Sequence, residues 1–300
     1  MIEFTNPNPV DALHTVLLVT QYLCIPIVTI FVFLRLGIRL YYKQNIGVED
    51  YSCYVAWFLF MAYCAISIVV AQKGGGYHIW DISNSQAVEF LKFGYIATVI
   101  YCPMALIVKV ALLSILIRIF SPYKTKVVVI YVFLGALCIY YIIAEVIKIR
   151  MCDPIPAYWL GNTAKCFDQQ AALIADSVIS VVSDFIILVT PLPLTWSLQM
   201  SRNKKLRIIG ILSAGGLATA FSLYRLVLVV QQGKSADQTI VFTCVILSGN
   251  AEAGVGIICC CLPTVNLVLS KLRAYGSSAN RSYGYNNDSN VPLSKIRNFG

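Results

Sequence analysis

Among the ionisable residues that stand inside long apolar stretches, five are placed to do chemistry: Lys109, Asp176, Asp184, Arg225 and Glu252. Charges in such surroundings are costly, so these groups should face one another or a polar cavity. Two kinds of chemistry are open to them. A carboxylic acid held protonated by desolvation can protonate an epoxide or alkene and start a cation cascade, which makes Asp184 and Glu252 candidate acids. Paired with cations, the same carboxylates are poor proton donors and serve instead as interhelical ties or as the lining of a binding pocket. Asp176, Ser180, Ser183 and Asp184 follow at i, i+4, i+7 and i+8 and fall within about 100° of one another on a helix, which makes a polar stripe. Ser248, Glu252 and Gly256 share a second face, and Gly215, Ala218, Ser222 and Arg225 a third, where small residues permit close helix contact.

The elements that must position these groups are seven apolar stretches, near residues 14–36, 50–72, 94–116, 126–147, 171–191, 207–230 and 239–269. Roughly 20 apolar residues span a bilayer as a helix. With 58% hydrophobic and only 12% charged residues and a mean hydropathy of +0.74, the chain has no soluble way to bury them. The fold expected is all-α: a polytopic membrane protein built as a seven-transmembrane-helix bundle. Its parts are a short N-terminus over 1–13, the bundle over 14–270, and a Gly-, Ser- and Asn-rich tail over 271–300 that composition predicts to be disordered. The first apolar run, from Thr15 to Leu34, is too long for a leader core and is expected to be retained as span one.

Lys and Arg concentrate in alternate connections, at Arg35, Arg39 and Lys43, at Arg118, Lys124 and Lys126, at Arg202, Lys204, Lys205 and Arg207, and from Lys271 onward. The other set holds Lys73, Lys92, Lys148, Arg150, Lys165 and Lys234. Positively charged short loops stay cytoplasmic, which predicts the N-terminus outside and the C-terminus cytoplasmic. The net charge of +9 then reads as a topology signal and an attraction to anionic lipid, with no nucleic-acid partner. Tyr41, Tyr42, Trp80, Tyr140, Tyr141, Tyr158, Trp159 and Trp196 repeat the boundaries as aromatic belts. At about 1.5 Å per residue, Lys109, Asp184 and Glu252 lie about 20 Å below the outer boundary, and Asp176 and Arg225 within about 10 Å of it. Depth therefore pairs Lys109 with Asp184 or Glu252, and Arg225 with Asp176.

The outer loop Gly74-Gly75-Gly76-Tyr77-His78-Ile79-Trp80-Asp81 joins backbone freedom to an imidazole, an indole and a carboxylate. His78, Trp80 and Asp81, with Trp159 of the second outer loop, are candidate ligand contacts as well as interfacial caps. Cys152 and Cys166 share that second loop on the oxidising side and are expected to form a disulfide, with Cys102 as a competing partner. The other cysteines lie mostly within spans and read as small buried hydrophobes. His14 and His78 are the only histidines, too few for a bis-histidine haem, and neither metal nor cofactor is expected. No lysine stands between Thr239 and Ser270, which excludes retinal held as a Schiff base in the last span. A phosphate-binding Gly-rich loop with its lysine and a Gly-x-Ser-x-Gly elbow are also absent from the sequence.

Several motifs in order resemble the fungal rhodopsin-domain integral membrane proteins, the receptor-like proteins of plant-pathogenic fungi. They are Arg35-x-x-x-Arg39 with Gly47-Val48-Glu49-Asp50-Tyr51; Gly76-Tyr77-His78-Ile79-Trp80-Asp81; and Lys109 with Ser114-Ile115-Leu116 and Arg118-Ile119-Phe120. Further along come Cys152, Pro154, Trp159 and Cys166; Asp184-Phe185-Ile186-Ile187-Leu188 running into Pro191-Leu192-Pro193-Leu194-Thr195-Trp196-Ser197-Leu198-Gln199; then Glu252 and Cys261-Leu262-Pro263. Two departures stand out. Ala111 replaces the small hydroxyl residue expected two positions after Lys109, and the cysteine-rich outer domain that some relatives carry before span one is not in this sequence. Arg118 is preceded by Ile117 rather than an acid, and span seven lacks Asn-Pro-x-x-Tyr, so the coupling surface of animal receptors is not reproduced.

The resemblance implies a seven-helix receptor-like fold; the function expected first is a receptor-like plasma-membrane protein that binds a small lipophilic molecule within the polar-lined bundle, with a cytoplasmic signalling partner at its basic face. The alternative is a membrane-embedded enzyme, an acid-initiated cyclase or isomerase, or an accessory protein of fungal secondary-metabolite biosynthesis. A transporter ranks third, since the spans show no inverted repeat.

Overall fold

The computed structural model describes residues 12–43, 45–160, 166–191, 202–233, 235 and 237–288, with only the backbone described for 202–212, 214 and 266–288. Seven long helices carry nearly all of it: α1 (Ala12–Tyr41), α2 (Val48–Gln72), α3 (Asn84–Ile119), α4 (Lys124–Ile149), α5 (Gln169–Val189), α6 (Arg202–Gln232) and α7 (Gln238–Asp288). These bounds enclose the seven apolar stretches to within a few residues at most ends. Six of the helices, α1 to α5 and the Gln238–Val265 part of α7, are long and apolar enough to cross a bilayer. Trp196, Lys165, Lys234 and residues 192–199 of the last long motif lie outside the described residues.

Two helix starts explain why the elements begin where they do. α3 starts ten residues before its apolar stretch because Ser83 and Gln86 cap each other's backbone. Ser83 Oγ accepts from the Gln86 N–H at 3.3 Å, and Gln86 Oε1 accepts from the Ser83 N–H at 3.0 Å. α5 starts on Asp168, whose Oδ1 accepts from the N–H groups of Gln170 and Ala171. At the other end of the chain the helical backbone of α7 runs on to Asp288, through the first part of the tail expected to be disordered. Extending an existing helix gains one hydrogen bond per residue fixed, a smaller obstacle than nucleation.

α3 and α7 form the centre. α2 packs along α3, α1 along α2 and α7, α5 along α6, and α6 along α7, while α2 and α3 both reach α7 across the middle. The apolar core of Leu17, Phe60, Met104, Leu113, Leu116, Ile246 and Ile257 fills the space between them. α4 lies at the periphery, packing chiefly on α3, and turns Val128, Val132, Ile139, Ile142 and Val146 outward. Water would penalise such a surface; hydrocarbon does not. Between α3, α4 and α5, at the end where α3 and α5 finish, lies an apolar cavity of about 200 Å³ lined by Leu113, Phe120, Ile130, Phe133 and Ile186, with Lys126 at its edge.

The two ends of the bundle differ. One carries the α2–α3 and α4–α5 connections and a disulfide between Cys152 and Cys166. Cys102, the competing partner, is a free thiol in α3 that contacts the Tyr141 carbonyl. At this end Gly74 and Gly76 adopt φ of 107° and 93°, where a side chain would be strained, and a Cβ on Gly76 would collide with the His14 backbone. The opposite, basic end carries Arg35, Arg39 and Arg118.

Candidate functional site

α3, α5, α6 and α7 each contribute to one buried charge cluster. Lys109 of α3 is 2% exposed, and its Nζ forms a close ion pair with Asp184 Oδ1 of α5. The same ammonium lies 3.7 Å from Glu252 Oε1 of α7 and 3.4 Å from Ser180 Oγ. Hydroxyls fill the remaining lone pairs: Ser222 of α6 donates to Asp184 Oδ2 at 2.6 Å, Ser180 donates to Glu252 Oε1 at 2.6 Å, and Tyr101 of α3 donates to Glu252 Oε2 at 2.9 Å. Arg225 of α6 completes the set, with Nη1 3.3 Å from Glu252 Oε2 and its guanidinium 4.6 Å above the Tyr101 ring. Two cations and two carboxylates therefore cancel within one buried layer. Ser222 serves Asp184, and Ser180 and Tyr101 serve Glu252, the added hydrogen bonds that buried charges require, while Ser183 of the α5 stripe donates to the Ser180 backbone carbonyl instead.

The pairing expected for Asp176 is overturned. Asp176 Oδ2 takes Lys148 Nζ of α4 at 2.6 Å, and Arg225 pairs with Glu252 instead. Lys148, read as a loop charge, sits in the last turn of α4 and is 5% exposed. Depth along the helix axis misled because the long guanidinium arm of Arg225 extends away from its own backbone level. Direction around the helix, which puts Tyr101 between Arg225 and Lys148, decides the partner.

Between Arg225 and Lys148 a small cavity of about 20 Å³, room for about one water, is lined by Tyr63, Thr98, Tyr101, Lys148, Asp176 and Arg225. Gly249 of α7 lets the helices close beside it: a Cβ there would stand 3.0 Å from Tyr63 Oη and 3.1 Å from the Tyr101 ring, so both rings would have to give. A second cavity of the same size lies toward the disulfide and shares Thr98, Lys148 and Leu173 with the first. Its far wall is Tyr158 and Gln169. Burial, with Tyr95 beside it, pushes the Tyr158 phenol up to about 12, so its proton stays on at physiological pH.

The loop residues singled out by sequence do not converge on this cluster. His78 pairs with Asp237 just before α7 and stacks on Trp80 at 4.6 Å, while Ile79 N–H donates to Asp237 Oδ1 at 3.2 Å. Trp80 is exposed, Asp81 closes the short helical turn after it, and Trp159 lies 6.0 Å from the Tyr95 ring, nearer the second cavity. The glycine loop is thus strapped to the start of α7, away from the charged layer.

A second ionic cluster, at the basic end, was quoted in the sequence as a motif without its role being legible. Arg35 Nη2 lies 2.6 Å from Asp50 Oδ1, its Nε donates to the same oxygen at 2.8 Å, and its Nη1 donates to the Cys260 carbonyl of α7. Arg39 stands 3.3 Å from Glu49 and 3.2 Å from Asp50, and Arg118 of α3 pairs with Glu49. The available signal was the i, i+4 spacing of two arginines opposite two acids in the first turn of the next helix, where the helix dipole also favours negative charge.

The fungal rhodopsin domain model matches residues 34–271, which include both clusters and the disulfide. Among curated proteins the chain is similar to a SAT4 family membrane protein of Emericella nidulans, at 26% identity over 74% of this chain and 59% of that protein. It is also similar to Fugralins biosynthesis cluster protein 2 of Gibberella zeae, at 27% identity over 91% of this chain and 70% of that protein. A shorter match, at 27% identity over 40% of this chain and 36% of that protein, is to Polyenoic acids biosynthesis gene cluster protein Ba17b of Metarhizium anisopliae. No solved structure matches. The match runs from the Arg35 cluster to the end of the apolar part of α7, and the chain belongs to the fungal rhodopsin domain family of multi-pass membrane proteins.

Proposed function

We propose that this protein is a receptor-like, seven-span integral membrane protein of the plasma membrane that binds a small lipophilic molecule between α3, α5, α6 and α7. The disulfide end would face outside and the basic end the cytoplasm, with residues 14–270 as the signalling unit. The observation that carries this reading is the Lys109–Asp184–Glu252–Arg225 cluster, which ties four helices together in the bundle interior beneath a cavity. A ligand shifts a conformational equilibrium only through different affinity for its two forms. A charge network that must stay paired offers such discrete alternatives, because any helix displacement exchanges whole partners rather than stretching them.

The same geometry weighs against acid-initiated cyclisation. Asp184 and Glu252 each face a cation and accept from hydroxyls, and neither lines the cavity beside Arg225. A second reading, as an accessory protein or enzyme of secondary metabolism, draws support from the two relatives whose names place them in biosynthesis clusters. The discriminating experiment expresses wild type, Asp184→Asn and Glu252→Gln in a fungal host, checks surface delivery, and profiles lipophilic compounds in the culture and in the purified protein. The receptor reading predicts a compound retained by the wild type and lost from the variants, with the culture profile unchanged. A new product formed only with intact carboxylates would refute it in favour of the enzyme.

A further inference from the structure

Arg225 is 3% exposed, and Glu252 engages only one end of its guanidinium, through Nη1. Nε and Nη2, the other edge of the fork, have no hydrogen-bond partner among the described residues. A guanidinium cannot shed its charge, and buried N–H donors left without acceptors are expensive, so their persistence needs an explanation. Arg225 lines the cavity beside Lys148, and the Nε/Nη2 edge is the geometry that accepts a planar carboxylate with two parallel hydrogen bonds. Around it the walls join aromatic and apolar side chains, Tyr63, Tyr101, Leu173 and Phe242, to the hydroxyls of Thr98 and Ser177 and the Asp176 carboxylate that Lys148 neutralises.

We infer that the molecule bound in the bundle carries a single carboxylate on an apolar body, anchored on the Nε/Nη2 edge of Arg225, and enters from the disulfide end past Lys148. This deepens the binding reading above and rests on it. The path follows from the two cavities, which meet at Thr98, Lys148 and Leu173, so the Lys148–Asp176 pair stands at the constriction between them. In the present form the inner cavity takes only about one water. Entry of a ligand therefore shifts Lys148 on its flexible stem, and because full separation would leave the Asp176 carboxylate buried and unpaired, the ammonium stays shared between Asp176 and the incoming carboxylate. Selectivity against neutral analogues follows, because an ester or alcohol offers Arg225 no charge and no second acceptor of equal strength.

The test uses the full chain purified into lipid nanodiscs and three photoactivatable probes: a diazirine-bearing octanoic acid, its methyl ester and the corresponding alcohol. The acid should label residues of α3, α5 and α6 around the cavity, with unlabelled octanoic acid competing and the methyl ester failing to compete. Arg225→Gln should weaken acid labelling about ten- to a hundredfold, the range for a lost charge-assisted pair. Arg225→Lys, which keeps the charge but not the fork, should fall between. Leu173→Trp, which fills both cavities without touching a charge, should abolish labelling there. Equal labelling of the cavity by acid, ester and alcohol in the wild-type protein would overturn the carboxylate assignment and leave the binding reading standing. Labelling by none of them, or labelling that Leu173→Trp does not change, would overturn both. The wild-type comparison of acid with ester decides even where an Arg225 variant fails to reach the membrane.

Discussion

Arg35 and Asp50 are 1% and 0% exposed and form the anchor of the basic end, so removing either one should be far more damaging than removing both. Truncating one partner of a buried ion pair costs about 3–5 kcal/mol, while replacing the whole pair by apolar side chains is often nearly neutral. The structure ranks the variants within that range. In Arg35→Met, Asp50 keeps Arg39 at 3.2 Å and the Gly47 N–H at 3.1 Å, which places the loss near the lower limit. In Asp50→Leu, the buried Arg35 keeps the Cys260 carbonyl but loses its carboxylate among the described residues, which places the loss near the upper limit. At about 2–4 °C per kcal/mol, the apparent melting temperature should fall by roughly 6–12 °C in Arg35→Met and roughly 10–20 °C in Asp50→Leu. The double variant should recover most of it. Buried thiols supply the assay, since Cys53, Cys260 and Cys261 sit directly around Arg35 and react with a maleimide dye only when this end opens. A double variant that melts no higher than the worse single variant would refute the reasoning, as would single variants indistinguishable from wild type.

Gly249→Val should disorder the charged layer, because a side chain there meets Tyr63 and Tyr101 at about 3 Å; an unchanged melting temperature would count against the packing described. Gly76→Ala should destabilise by roughly 1 kcal/mol or more through its positive φ and the approach to His14, read as lower yield of folded protein. Cys152→Ser should cost up to about 3 kcal/mol for a loop of this length, and reductant should lower the wild-type melting temperature to the level of the variant. Ser83→Ala should cost about 1 kcal/mol and fray the start of α3, visible as faster amide exchange over its first turn.

The helices were legible because a long apolar run bounded by polar residues admits one solution in a bilayer, and the two loop cysteines had one another within reach. Partner choice among the charges was less so. Lys109 has only one pair of acids at its depth, so its partners could be read from position along the chain. Lys148 stands where a lysine can reach the headgroups or turn inward at similar cost, and only the packing of α4 on α3 and α5 decides between them. Arg35 and Arg39 were read as topology charges because their acids lie across a turn in the next helix, and hydropathy does not report which way the arginines point. Tyr101, which touches Glu252, Arg225 and Lys148, carried no signal at all: a tyrosine in an apolar helix looks like any other large side chain until its neighbours are known.

α4 is fastened by a buried ion pair at one end and packs through apolar side chains such as Ile130 and Phe133 toward the other. Lys148 fastens it to α5 near the disulfide, whereas toward the basic end the wedge of about 200 Å³ separates it from Ile186. In a bilayer, an acyl chain lying in a gap of that size would contribute the dispersion contacts that a neighbouring helix otherwise makes. A detergent whose tail fits the wedge poorly would release α4 at that end first, with Lys148 as the pivot, while the interlocked centre of α3 and α7 stays closed.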